Sequence, residues 1–155
     1  MEAKKNNRLS VQTSIKAPIE KVWELWTNPE HIVKWNFASI DWHAPKANNE
    51  LKKGGRFVFT MAAKDGSMSF DFSGIYTEVL KHKMIAYTMD DGRTARVLFA
   101  SEGITTQITE QFDAETENTH ELQVLGWQAI LTNFRAYAES QNLSVIIGRK
   151  HLHLN

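Results

Sequence analysis

Between Arg56 and Phe112 the sequence changes side with almost every residue and reverses at short, glycine-bearing turns. Phe57, Phe59 and Met61 alternate with Arg56, Val58 and Thr60, and the run stops at Lys64, Asp65 and Gly66. Met68, Phe70, Phe72, Gly74 and Tyr76 share one face of a long strand; Ile85, Tyr87 and Met89 follow, then the turn Asp90 to Gly92. A run through Arg96, Val97, Leu98 and Phe99 ends at Ser101 to Gly103, beyond which Ile104, Thr106, Ile108 and Phe112 face together. Period-two runs separated by short polar turns read as an antiparallel meander.

The flanks are different. Leu9, Val11, Thr13 and Ile15 alternate as a first strand that stops at Ala17 and Pro18. Ile19, Val22, Trp23 and Trp26 then recur at helical spacing, and Asn28 with Pro29 starts a second short helix ending near Trp35. Residues 36–53 hold a short strand and a loop. At the far end, residues 118–142 read as one long helix, with Asn118 as its cap and Glu121 as capping-box partner. The order is strand, two short helices, about six strands and a long helix, an α+β chain.

The long helix carries a broad apolar arc: Leu122, Leu125, Ala129, Ile130, Phe134, Tyr137 and Ala138, widened by Trp127 and Leu131. An arc this wide should be clasped on more than one side. Yet Gly126 and Asn133 sit near its middle, where a helix that only plugs a core would carry its bulkiest residues. A curled sheet with aromatic strand faces, crossed by a helix that is small or polar at its centre, predicts a cavity with the helix as its lid. Trp35, Phe37, Trp42, Phe57, Phe59, Phe70, Phe72, Tyr87, Gly126, Trp127, Ile130 and Asn133 would line or gate it. The alternative is a filled core, in which Gly126 permits close helix–strand approach and Asn133 bonds a backbone group or a water.

The chemistry of the chain narrows its function. Lys plus Arg and Asp plus Glu both number 18, so no overall field favours nucleic acid or an anionic membrane. Without cysteine, thiolate metal sites, thiol nucleophiles and disulfides are excluded. His31, His43, His82 and His120 lack ligand spacing; His151 and His153 form a His-x-His that would need a third ligand. No cofactor or metal is expected. Asp41, Trp42 and His43 fall in the segment expected to rim the cavity. Glu110, sharing a face with Ile108 and Phe112, is the only candidate for an inward acid, and burial would raise its pKa; an exposed carboxylate at the end of the sheet is the commoner case. The termini show no secretory leader and no membrane span, which points to a soluble, cytoplasmic protein.

The ordered succession IKAPIEKVWELWTNPEHIVKW, LKKGGRFVFTM, DGSMSFDFSGIYTEV, TTQITEQFDAE and GWQAILTNFRAYAE resembles bacterial single-domain relatives of the activator of heat-shock-protein-90 ATPase. These belong to the START-like, birch-pollen-allergen superfamily. The resemblance implies a helix-grip fold of about seven strands over residues 9–142, between a disordered segment 1–8 and a tail 143–155. It also implies a cavity between sheet and helix. The Trp-His-Trp-Glu-Glu stretch of the eukaryotic co-chaperone is absent from the residues before the first strand, which argues against a chaperone partner. Three readings follow: non-catalytic binding of a small, mainly hydrophobic molecule; an interaction protein acting through its surface; and a cyclase- or isomerase-like enzyme using Glu110, Asn133 or His43. Val145, Ile146 and Ile147 in the tail would pack back on the body or join a homodimer.

Overall fold

The computed structural model describes the backbone of residues 7–154 and the side chains of residues 7–142. Among these residues the chain forms β1 (Arg8–Ile15), α1 (Ile19–Thr27), α2 (Pro29–Trp35), β2 (Trp42–Asn49), β3 (Arg56–Ala63) and β4 (Ser69–Leu80). β5 (Met84–Met89), β6 (Thr94–Glu102), β7 (Thr105–Asp113) and α3 (His120–Leu154) follow. The strands make one antiparallel sheet in the order β1-β7-β6-β5-β4-β3-β2. Only the β1 to β2 connection, which carries α1 and α2, spans the sheet from edge to edge.

The sheet curls into a half-barrel. Bulges help it do so: the register shifts between His43 and Lys46 in β2 and between Tyr76 and Glu78 in β4. Pro45 lies at the first of these, on an edge strand, where its missing N–H interrupts no inner ladder. The alternation dictates what faces inward. In β7, Thr106, Ile108, Glu110 and Phe112 are buried while the residues between them are half-exposed. Ile104, expected in that row, sits in the turn before β7 and is exposed, because strand pairing starts only at Thr105.

Asn28 caps α2 as expected, its Oδ1 accepting from the Glu30 N–H at 2.9 Å. The cap of α3 differs from expectation. Thr119 Oγ1 accepts from the Leu122 N–H at 3.1 Å, while Asn118 is held by the Glu115 carboxylate. α3 also passes Asn142, since nothing in Leu143–Ile147 breaks a helix. The side chains of the tail lie outside the described residues, and with them the packing of Val145 to Ile147 and the His151 and His153 pair. Residues 1–6 lie outside as well; Arg8, expected in the N-terminal segment, already opens β1 and pairs with Asp113 at 2.9 Å.

One half of the interior is solid. Trp26, Trp35 and Phe134 form a triangle of rings with centroids 4.8 Å apart on each side. Leu25, Ile32, Leu131 and Ala138 are fully or almost fully buried with them. The Trp35 indole donates to the Leu25 carbonyl at 2.9 Å, tying α2 to α1. Among the described residues no helix is long and apolar enough to cross a membrane.

Candidate ligand cavity

The other half of the concave face is not filled. A cavity of about 560 Å³ lies between the sheet, the first turns of α3 and the segment after α2. Its sheet wall is aromatic for the reason read from the alternation: Phe57, Phe59, Phe72, Tyr76 and Tyr87 point the same way from three adjacent strands. Phe57 is the hub, with ring centroids 5.0 to 5.5 Å from the other four. It is seated there by Gly74, its register partner; a Cβ at Gly74 would meet the Phe57 ring at 3.1 Å and collide with the Thr88 carbonyl. Larger residues at position 74 would push Phe57 into the cavity or open the sheet.

On the helix side Trp127 stacks flat on Phe112, centroids 3.8 Å apart and planes within 4°, and presents its edge to Phe72. Gly126 lies beside it with open space where a side chain would begin. The mouth is framed by Phe37, Trp42 and Phe70, with the buried Trp35 behind them on the lining and Trp42 edge-on to Phe70 at 5.9 Å. Phe70 is 49% exposed, so the mouth itself is apolar.

Eleven of the twelve residues singled out from sequence therefore border one space: all but Asn133. The Asn133 amide donates to the carbonyls of Trp35 at 2.8 Å and Phe37 at 3.4 Å. It fastens the segment carrying the mouth residues to α3, and it faces an outer groove with Ile40 and Leu125 instead of the cavity. The apolar arc of α3 is also less clasped than its width suggested. Leu122 and Leu125 are 55% and 67% exposed, and the buried stripe runs through Gln123, Leu131, Phe134 and Ala138.

Polar residues complete the wall, and of these sequence reasoning had placed only Glu110 there. The Tyr76 hydroxyl donates to Asn49 Oδ1, and the Asn49 amide donates to the Thr27 carbonyl at 2.8 Å, linking β4, β2 and α1. At the end beneath α3, Arg93, Glu110, Glu115, Asn118 and Gln123 border the cavity. Gln123 accepts from the Glu115 N–H at 2.8 Å and donates to the carbonyls of Glu115 and Asn118, so it closes the loop onto the helix. Its place one turn before Trp127 on the buried stripe is the signal that would have found it.

Glu110 is the inward acid that the alternation singled out. It is 7% exposed, and burial pushes its pKa up to about 8. Burial also raises the Tyr87 hydroxyl well above its usual range, with the nearby Glu110 carboxyl adding to it. His43, by contrast, is exposed on β2. Among the described residues no cluster of three or more His, Asp or Glu side chains is arranged to hold a metal ion.

A curled antiparallel sheet gripping one long helix over an aromatic cavity defines the helix-grip, START-like class. Within that class, the family described as Activator of Hsp90 ATPase homolog 1-like protein matches residues 16–139, and the chain belongs to this family. Solved structures agree. The AHSA1-like protein of Aeromonas hydrophila is 46% identical, with a TM-score of 0.83 over 88% of this chain and 94% of that one. A protein of Cytophaga hutchinsonii is 53% identical, with a TM-score of 0.75 over 89% and 95%. A Nitrosomonas europaea protein, 21% identical with a TM-score of 0.74 over 88% and 96%, shares the fold. No curated protein matches the chain. Proteins of this fold family commonly bind hydrophobic ligands.

Proposed function

We propose that this protein binds a small, mainly apolar molecule in the cavity between sheet and α3, without transforming it. The observation that carries this reading is the roughly half-empty concave face: about 560 Å³ bordered by rigid aromatic rings, with Gly126 where a side chain would fill it. That volume lies in the range of small-molecule sites. Burying an apolar ligand there removes its surface from water at roughly 25 cal/mol per Å². Nile red, a neutral dye that brightens in apolar surroundings, tests it. Saturable binding to one site, weakened at least about tenfold in Gly126→Phe (about 1.4 kcal/mol) with folding intact, is the expected result. No saturable binding, or equal binding by the variant, would sink the reading.

A surface-acting role is the second reading. It is favoured by Ile40, Leu122 and Leu125, which are 81%, 55% and 67% exposed, and by the chaperone-related name of the family. A partner that co-purifies with the wild type and is lost on Ile40→Ser with Leu125→Ser, in a protein that takes up no Nile red, would favour it.

A further inference from the structure

The cavity is not uniformly apolar, and its polar end is built in an unusual way. Glu110 and Tyr87 are each 7% exposed. Among the described residues nothing donates to the Glu110 carboxyl and nothing pairs with the Tyr87 hydroxyl. Yet no buried side-chain nitrogen or oxygen is both sealed off and unpartnered, so these oxygens open onto the cavity they border. A buried polar group without a protein partner is costly and rare. Two of them opening into one space call for a partner from outside the chain.

The register explains how they meet. Glu110 pairs with Val97 of β6, and Tyr87 pairs with Ala95 two residues along the same strand. All four face inward. The two longer side chains therefore flank β6 diagonally, on either side of the smaller Ala95 and Val97. Both side chains line the same cavity; the Glu110 carboxyl raises the Tyr87 hydroxyl electrostatically, and Arg93, on the same lining, lowers it.

The charged groups around them are already engaged. Arg93 binds Asp91 Oδ2 at 2.8 Å and the Asp113 carbonyl at 3.3 Å. The Glu115 carboxylate accepts from the N–H groups of Glu117 and Asn118 and from the Asn118 amide. Tyr76 is bonded to Asn49. From α3 the facing residues are Gln123, Trp127 and Ile130, and from β1 the register partner of Glu110 is Val11; none carries a charge. An anionic ligand would meet Glu110 and Glu115, and the cation on the lining, Arg93, already serves Asp91 and the Asp113 carbonyl. A cationic one would require Glu110 to ionise where nothing donates to it. An uncharged acceptor requires neither: a neutral carboxyl and a phenol are both O–H donors.

We propose that Glu110 and Tyr87 together select ligands that carry one uncharged oxygen acceptor, such as the carbonyl of a ketone, lactone or ester, at the end of an apolar body. This rests on the cavity being a binding site and goes further by naming the chemistry of the ligand. The two O–H groups hydrogen-bond the same carbonyl oxygen; no covalent step is involved. The buried carboxyl keeps its proton up to about pH 8, which covers neutral solution.

Three naphthalenes of similar size test it by NMR or fluorescence titration at about pH 6, where Glu110 holds its proton. They are 2-acetylnaphthalene, its hydrocarbon isostere 2-isopropenylnaphthalene and the cation 1-(2-naphthyl)ethylammonium. The ketone is expected to bind about tenfold tighter than the hydrocarbon, the worth of one to two net hydrogen bonds. Glu110→Leu with Tyr87→Phe should remove that preference, so that ketone and hydrocarbon bind alike. Glu110→Gln, which keeps an N–H donor, should retain most of it. In the wild type the ketone's advantage should fall as pH rises through about 8, and in Glu110→Gln it should not. Equal affinity for ketone and hydrocarbon in the wild type would overturn the selection while cavity binding stands. Tighter binding of the ammonium would overturn it in favour of a carboxylate that recognises cations. Failure of all three probes would remove the cavity reading and this inference with it.

Discussion

The two halves of α3 do opposite things. From Leu131 onward the helix is pressed into a solid core: Leu131, Phe134 and Ala138 are fully buried, and Phe134 meets Trp26 and Trp35 edge to face. From Leu122 to Ile130 it roofs a cavity, with Gly126 over empty space and Leu122 and Leu125 turned to solvent. The same helix, with the same apolar periodicity, is a plug at one end and a lid at the other. What differs is the size of the facing residues and the presence of α1 and α2, which clasp only the second half. Stability and the proposed binding are thereby separated along one element.

The largest effect should come from the plug. Phe134→Ala should cost about 3–5 kcal/mol of unfolding free energy, since its fully buried ring packs edge to face on Trp26 and Trp35. A urea melt checks it, and a loss below about 1 kcal/mol would mean the core half is as loosely filled as the cavity half.

The cavity half should show itself next, through pH. Glu110 ionises near its ordinary 4.5 when unfolded and at about 8 when folded. A raised folded pKa gives stability that is full below pH 4.5 and is lost as pH rises towards 8. The loss across that window is on the order of 4 kcal/mol. Below it a second decline begins, because Asp90, Asp91 and Asp113 are held under the usual carboxylate range by Arg56, Arg93, Arg8 and neighbouring donors. Stability should therefore peak on the acid side of neutrality. Glu110→Gln should flatten the alkaline limb in melts across pH and leave the acid limb alone. An unchanged limb would mean that Glu110 reaches water.

Asn133 joins the two halves, and its removal should be milder. Asn133→Ala should lower stability by about 1 kcal/mol, because the carbonyls of Trp35 and Phe37 lose a donor. Hydrogen exchange should quicken in the mouth segment after α2 and not in the sheet. The smallest effect should be a gain: Gly126→Ala meets nothing within 4 Å and should stabilise the helix by roughly 0.5–1 kcal/mol.

This division was only partly legible in the sequence. Alternation and short turns are local signals, and they placed β3 to β7, the inward aromatic row and even Glu110 on the correct face. Asn28 with Pro29 marked the boundary between α1 and α2. The remainder depends on contacts distant in sequence. β2 crosses Pro45 and a bulge, which erase its period-two signature. The polar wall of Asn49, Arg93, Glu115, Asn118 and Gln123 comes from loops and element ends that only the closed sheet brings together. Asn133 and Gly126 share a helical face in sequence, and nothing local says that one reaches backbone carbonyls while the other borders a void. Leu122 and Leu125 were expected to be covered because periodicity records which residues share a face and not whether a neighbour arrives to cover it.

The claim that the first half of α3 roofs a binding site is tested most directly by amide NMR of the protein titrated with 2-acetylnaphthalene. The account predicts shifts concentrated at Phe57, Phe72, Tyr87, Glu110, Gly126 and Trp127, with Leu131, Phe134 and Ala138 unmoved. Shifts confined to Ile40, Leu122 and Leu125 on the outer surface, or none at saturating probe, would contradict it.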